Sequence, residues 1–174
     1  MAVKNWPAPC FALTEQWEGW HQFSNDPVDP GGATWCGLTQ REYDEWRRLQ
    51  GLPLRGVHGA SDVEIMAIFK TQYWDKVRGD ELPSGLDYLL YDIAINMGPG
   101  KAIRFLQQAV GATVDGVFGL ETLGAIRGKD VKRLIQVIAE KRMSFWHSLT
   151  TWWRFGKGWA SRGVGAEKQA LAMT

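Results

Sequence analysis

The residues best suited to do chemistry lie between positions 15 and 39. Glu18 ends a short run with apolar residues at helical spacing and sits between Trp17 and Trp20. An indole neighbourhood desolvates a carboxyl group and raises its pKa. Glu18 could then hold a proton near neutral pH and pass it to a leaving oxygen. Asp29 follows in Asp-Pro-Gly-Gly, where proline fixes backbone angles and glycine permits a sharp turn. Such rigidity is what a positioned base or charge stabiliser needs. Asp26 competes for that role, and the Thr34 hydroxyl could orient a water. Two carboxyl groups in unlike environments, one protonated and one ionised, are what glycosidic bond cleavage requires. Each residue also has a plainer reading. Glu18 could be a solvated helix-end acid, Asp29 an ordinary turn residue, and Glu15, three positions earlier, the true donor.

The elements that must position these groups are mostly helical. A helix is predicted from about Pro9 to Glu18, stopped by Gly19. The Pro- and Gly-rich stretch 20–38 reads as a hairpin-like loop or a small sheet. Thr39 with Glu42, and Ser61 with Glu64, are capping-box pairs that open helices to about Gln50 and Val77. Pro83 and Ser84 start the most apolar segment, running to Met97, which predicts a central, buried helix. Asp92 and Asn96 share one face of it and must either tie the core together or line a cleft. Further helices are predicted over 101–110, 120–126 and 131–149. Trp152, Trp153, Phe155 and Trp159 then crowd together and read as packing. Tyr73, Trp74 and Tyr91 could stack on sugar rings, with core packing as the alternative.

Composition narrows the classes. The chain has 174 residues, enough for one domain with a real core or for two small lobes. No apolar run approaches the ~18 residues of a membrane span. The first thirteen residues do not read as a signal peptide, so synthesis in the cytoplasm is expected, with a separate route to any external target. Three histidines without metal-ligand spacing argue against zinc, and no cofactor is expected. Cys10 and Cys36 read as two separate thiols. Residues 1–100 carry 8 Lys/Arg and 14 Asp/Glu, whereas residues 101–174 carry 12 and 5, so the halves have net charges of −6 and +7. The basic half could meet an anionic wall or membrane surface, or it could be a solvated helix face. A nucleic-acid partner is not expected, and the chain is expected to be a monomer.

Several motifs then occur in unbroken order over about residues 11–165. They are Trp17-Glu18-Gly19, Asn25-Asp26-Pro27-Val28-Asp29-Pro30-Gly31-Gly32-Ala33-Thr34 and Gly37-Leu38-Thr39. Tyr73-Trp74, Leu82-Pro83-Ser84-Gly85 and Asp92-Ile93-Ala94-Ile95-Asn96-Met97-Gly98-Pro99 follow. Asp115-Gly116-Val117-Phe118-Gly119 and Phe155-Gly156-Lys157-Gly158-Trp159 complete the series. In these the chain resembles the glycoside hydrolase family 108 muramidases joined to a type 3 peptidoglycan-binding segment. The resemblance implies a mainly α, lysozyme-like fold whose small β-hairpin region carries the active site. It implies a catalytic segment over 8–95 and a peptidoglycan-binding segment over 96–170, packed as one unit. It also implies cleavage of the β-1,4 bond between N-acetylmuramic acid and N-acetylglucosamine in peptidoglycan glycan strands. Glu18 matches the family's acid, and Asp29 and Thr34 match its accompanying Asp and Thr. Asp26, Tyr73, Tyr91 and Asn96 are the expected substrate contacts. Trp20 departs from the family pattern, which usually has a second glycine there. Two other readings stand beside this one: a lytic transglycosylase, and a non-catalytic wall-binding protein on the same fold.

Overall fold

A computed structural model describes residues 6–8, 10–15, 22–25 and 32–174. Among these the fold is mainly α, with eight α-helices and one three-stranded antiparallel sheet, the lysozyme-like class expected. Backbone packing divides the chain into two compact units that meet in sequence between Gln72 and Tyr73.

In the first unit, helix α1 spans Cys10–Glu15. The remainder of the predicted run, to Glu18, lies outside the described residues. Strands β1 (Phe23–Ser24), β2 (Thr34–Trp35) and β3 (Leu38–Thr39) form the sheet in that order. Cys36 and Gly37 alone join β2 to β3, and both have positive φ, 52° and 76°. Two consecutive left-handed residues make a type I′ turn, whose twist matches that of the flanking strands.

Helix α2 (Gln40–Leu49) starts at a complete capping box. The Thr39 side chain accepts from the Glu42 amide, and the Glu42 carboxylate accepts from the Thr39 amide. Helix α3 (Asp62–Phe69) opens with the same device on Ser61 and Glu64. Glu64 then does more than cap. Its Oε1 lies 2.7 Å from Arg47 Nη1, and Oε2 accepts from the Tyr43 hydroxyl at 3.2 Å. One carboxylate thus ties α2 to α3. Burial pushes the Glu64 carboxyl up, but bonds from the Ser61 amide and hydroxyl, Arg55 and Tyr43 outweigh it and hold the group below its ordinary range. Phe11 packs edge-on against Phe69, with ring centres 5.8 Å apart, and so connects α1 to α3. Cys10 and Cys36 are both buried.

The single helix predicted over 61–77 is interrupted. After Phe69 the chain widens into a π-helical turn, Lys70–Trp74. The Thr71 hydroxyl donates to the carbonyls of Ala67 and Ile68, competing with the regular helical pattern.

The second unit is built around helix α4 (Leu86–Met97), buried from Leu86 through Ala94. It packs against α5 (Pro99–Val110), α7 (Val131–His147) and α8 (Trp152–Ala172), and α6 (Leu120–Ile126) joins through α5. Helix α4 belongs with these later helices. The packing division falls before Tyr73.

The core of this unit contains an ionic cluster. Asp92 is fully buried and meets Arg142 of α7 at 2.6 Å and Arg162 of α8 at 2.9 Å. Gly85 and Gly163 are steric necessities. A Cβ on Gly85 would lie 2.3 Å from the Ala170 carbonyl, and one on Gly163 would lie 2.8 Å from the Trp146 ring. Helix α8 itself was not expected from the sequence, since Gly156, Gly158, Gly163 and Gly165 weaken its helical signature.

Two stability tests follow from these clusters. Asp92→Ala leaves two guanidinium groups without their buried carboxylate and should cost about 3–5 kcal/mol, read from urea unfolding. Glu64→Gln should cost about 2 kcal/mol at neutral pH, the scale of hydrogen bonds to a charged group. The folded-state pKa of Glu64 is lowered, so its contribution is complete above the ordinary carboxylate range. It fades as pH falls through the folded value. The gap between wild type and Glu64→Gln should therefore narrow in acid, as measured by melting temperature against pH.

Candidate active site

The sheet of the first unit sorts its side chains by chemistry. Phe23 pairs with Trp35, and Ser24 pairs with Thr34, which pairs in turn with Thr39. Alternation along a strand sends neighbouring side chains to opposite faces. Ser24, Thr34 and Thr39 therefore share a hydroxyl face, and Phe23, Trp35 and Leu38 share an apolar one. On the apolar side His58 meets both aromatics edge-on, at 5.9 Å from Phe23 and 6.1 Å from Trp35. His58 rides on the short 3-10 turn Val57–Gly59, which Gln40 fixes by accepting the Val57 amide and donating to the Arg55 carbonyl. Sequence reading gave His58 no role, because its ring partners are more than twenty positions away.

Thr34 lies on the central strand. It is half-buried, and its hydroxyl makes no hydrogen bond among the described residues. A hydroxyl so placed can accept from or donate to a water or a substrate. Its backbone is held on both sides, so its position is set by the sheet rather than by a loop. Glu18, Asp26 and Asp29 lie outside the described residues, as does the Asp-Pro-Gly-Gly segment up to Gly31.

The other expected contacts belong to the second unit. Tyr73 is half-buried in the π-helical turn. The adjacent Trp74 is buried and donates its Nε1–H to Asp80 at 3.2 Å. Tyr91 is fully buried, with its ring edge-on to Trp74 at 5.7 Å. A ring with no exposed face has nothing to stack on a sugar, and the burial of Tyr91 agrees with core packing, the alternative reading of this residue. Asp92 and Asn96, read from the sequence as a pair, serve separate ends. Asp92 closes the core, whereas Asn96 is exposed at the last turn of α4. There it borders a hollow lined also by Lys101, Phe145, Trp146 and Trp159. Among the described residues no three His, Cys, Asp or Glu side chains are grouped to hold a metal ion. No described helix is long and apolar enough to cross a membrane.

The sequence profile of the family described as Glycosyl hydrolase 108 matches residues 11–98. That span takes in Glu18, Asp26, Asp29, Thr34, Tyr73, Tyr91 and Asn96. Twelve chains of solved structures match the fold. One is SagA of Brucella abortus, 35% identical in sequence, with a TM-score of 0.81 over 94% of this chain and 92% of that one. A search of curated protein sequences returns no match.

The type I′ turn sets the register that places Thr34. Gly37→Val puts a β-branched residue at φ 76° and should cost at least about 1–2 kcal/mol. Thermal melting measures the loss, and broadened amide signals at Thr34, Trp35 and Leu38 should accompany it.

Proposed function

From its membership of the glycosyl hydrolase 108 family we propose that this chain, a glycoside hydrolase, is an N-acetylmuramidase of peptidoglycan. It cleaves the β-1,4 bond between N-acetylmuramic acid and N-acetylglucosamine. The observation that carries the reading is the family match over residues 11–98, which contains every residue assigned to the chemistry.

In this mechanism Glu18, kept protonated by Trp17 and Trp20, delivers its proton to the glycosidic oxygen as the bond to the sugar breaks. The developing oxocarbenium ion needs a facing negative charge or a nucleophile. Asp29 fills that role, with Asp26 as the alternative, and Thr34 orients the water that completes hydrolysis. The half-buried Thr34 hydroxyl on the central strand, which makes no hydrogen bond among the described residues, supports this role. The net charge of +7 over residues 101–174 favours association with an anionic wall. We place the chain's action at the wall, reached after cytoplasmic synthesis through a membrane pore or a secretion route. Lysis by a phage and local wall opening by a bacterium would both use the same chemistry.

The test is Glu18→Gln, assayed by release of reducing ends from purified sacculi. Activity should fall at least about 100-fold, the scale of losing a general acid, with the melting temperature unchanged. Wild-type rates in Glu18→Gln would move the proton donor to Glu15. No release by the wild type itself would leave a wall-binding protein. Thr34→Val should lower the rate more than Thr34→Ser, which keeps the hydroxyl.

A further inference from the structure

Helix α8 turns small residues inward and large apolar ones outward. Its buried positions are Gly156, Arg162, Gly163, Ala166 and Ala170. On the outside, Trp153 is 83% exposed and Val164 is 59% exposed. The sequence predicts packing for the tryptophans of this region, and two of them do pack. The rings of Trp152 and Trp159 lie 6.4 Å apart, and Trp159 also meets Trp146 at 6.0 Å. Trp153 joins no such ring contact among the described residues. Folding therefore gains little from its indole, whose apolar area is left to water.

A single exposed apolar side chain is ordinary in a folded protein. The neighbours of this one are not. At 3.6 residues per turn, Trp153, Lys157, Ser161, Val164 and Lys168 fall within an arc of roughly 80°, along about 22 Å of helix. All five are exposed. Arg154, exposed as well, flanks the stripe at its start. Among the described residues none of these three cations is paired with a carboxylate. The chain has no Asp or Glu between Glu140 and Glu167. Glu167, the one acid of α8, is half-buried, and burial followed by the charge of Glu140 pushes its carboxyl above the ordinary range. The outward face of α8 thus combines an indole, an aliphatic side chain and three positive charges with no opposing negative charge.

The arrangement separates two kinds of partner. A protein interface gathers its apolar anchors into a central patch of several hundred Å². Here Trp153 and Val164 are three turns apart, with lysine and serine between them. A bilayer surface accepts dispersed anchors. Indole settles at the level of the headgroups, and lysine stems lie along the apolar boundary while their ammonium groups meet phosphates. The excess of cations selects anionic headgroups. No described helix is long and apolar enough to span a bilayer, so the contact is with its surface.

We propose that the outward face of α8, from Trp153 to Lys168, is a docking surface for an anionic phospholipid bilayer. Charge alone would serve a polyanionic wall equally well, and the exposed indole and valine are what assign the face to lipid. The proposal stands apart from the hydrolase reading, since it uses none of the residues given to bond cleavage.

The experiment is co-sedimentation of the full chain with two kinds of vesicle. One holds phosphatidylglycerol and phosphatidylcholine in equal parts, and the other holds phosphatidylcholine alone. The wild type should bind the anionic vesicles more strongly, and high salt should weaken that binding. Trp153→Ala should lower partitioning into anionic vesicles about 10-fold, the lower end for burying a large apolar side chain. Lys157→Gln and Lys168→Gln together should lower it about 30-fold, or about 5-fold for each charge removed. All three positions are exposed, so melting temperatures should not change, and the lysine pair carries the test if Trp153→Ala unfolds. Equal binding of the wild type to both vesicles, or to neither, would overturn the proposal. So would undiminished binding in Trp153→Ala or in the double lysine variant. Trp153-dependent sedimentation with lipid-free sacculi, without vesicle binding, would overturn it in favour of a wall contact.

Discussion

The second unit depends on one buried carboxylate. Asp92 has no access to solvent and faces two guanidinium groups, from residues 50 and 70 positions later in the chain. Isolating such a charge in the interior costs far more than the net stability of a domain, so the three side chains hold together or the packing fails. The cluster joins α4, α7 and α8 at one point. One carboxylate cannot neutralise two cations, and the Trp146 ring takes part of the surplus as a cation–π contact. Burial pulls the Arg142 guanidinium below its ordinary range while Asp92 pushes it back. The same contact that balances the core also fixes the Trp146 ring.

The first unit solves a similar problem at its surface. Glu64 closes a capping box and also engages Arg47 and Tyr43, so helix start and helix pairing use the same carboxylate. The Thr39–Glu42 box does comparable duty at the sheet edge, since Thr39 ends β3 and caps α2 at once. Together with the Cys36–Gly37 turn, this fixes the strand on which Thr34 sits. The sheet is only two residues deep in each strand, so its geometry comes from the turn and the cap more than from ladder length.

Features written in local sequence were legible. Both capping boxes form, α4 is central and buried, and the Pro- and Gly-rich stretch contains the small sheet. The partners of Asp92 were not legible, because no spacing rule connects positions 92, 142 and 162. Helix α8 was obscured by its glycines, of which Gly156 and Gly163 leave room for the rings of Trp152 and Trp146. The burial of Tyr91 was not legible for a related reason. A tyrosine at helical spacing looks the same whether its ring faces a cleft or a core, and the edge-on contact with Trp74 decides it. Of the candidate site, the described residues locate Thr34, Tyr73 and Asn96, while Glu18, Asp26 and Asp29 rest on sequence and family.

The account centres on a protonated acid and a water acting in succession at one glycosidic bond. Mass spectrometry of the fragments released from purified sacculi addresses that succession directly. Hydrolysis predicts fragments ending in reducing N-acetylmuramic acid, which borohydride converts to the alcohol. Fragments ending in 1,6-anhydro-N-acetylmuramic acid, inert to borohydride, would mean that no water enters and would contradict it.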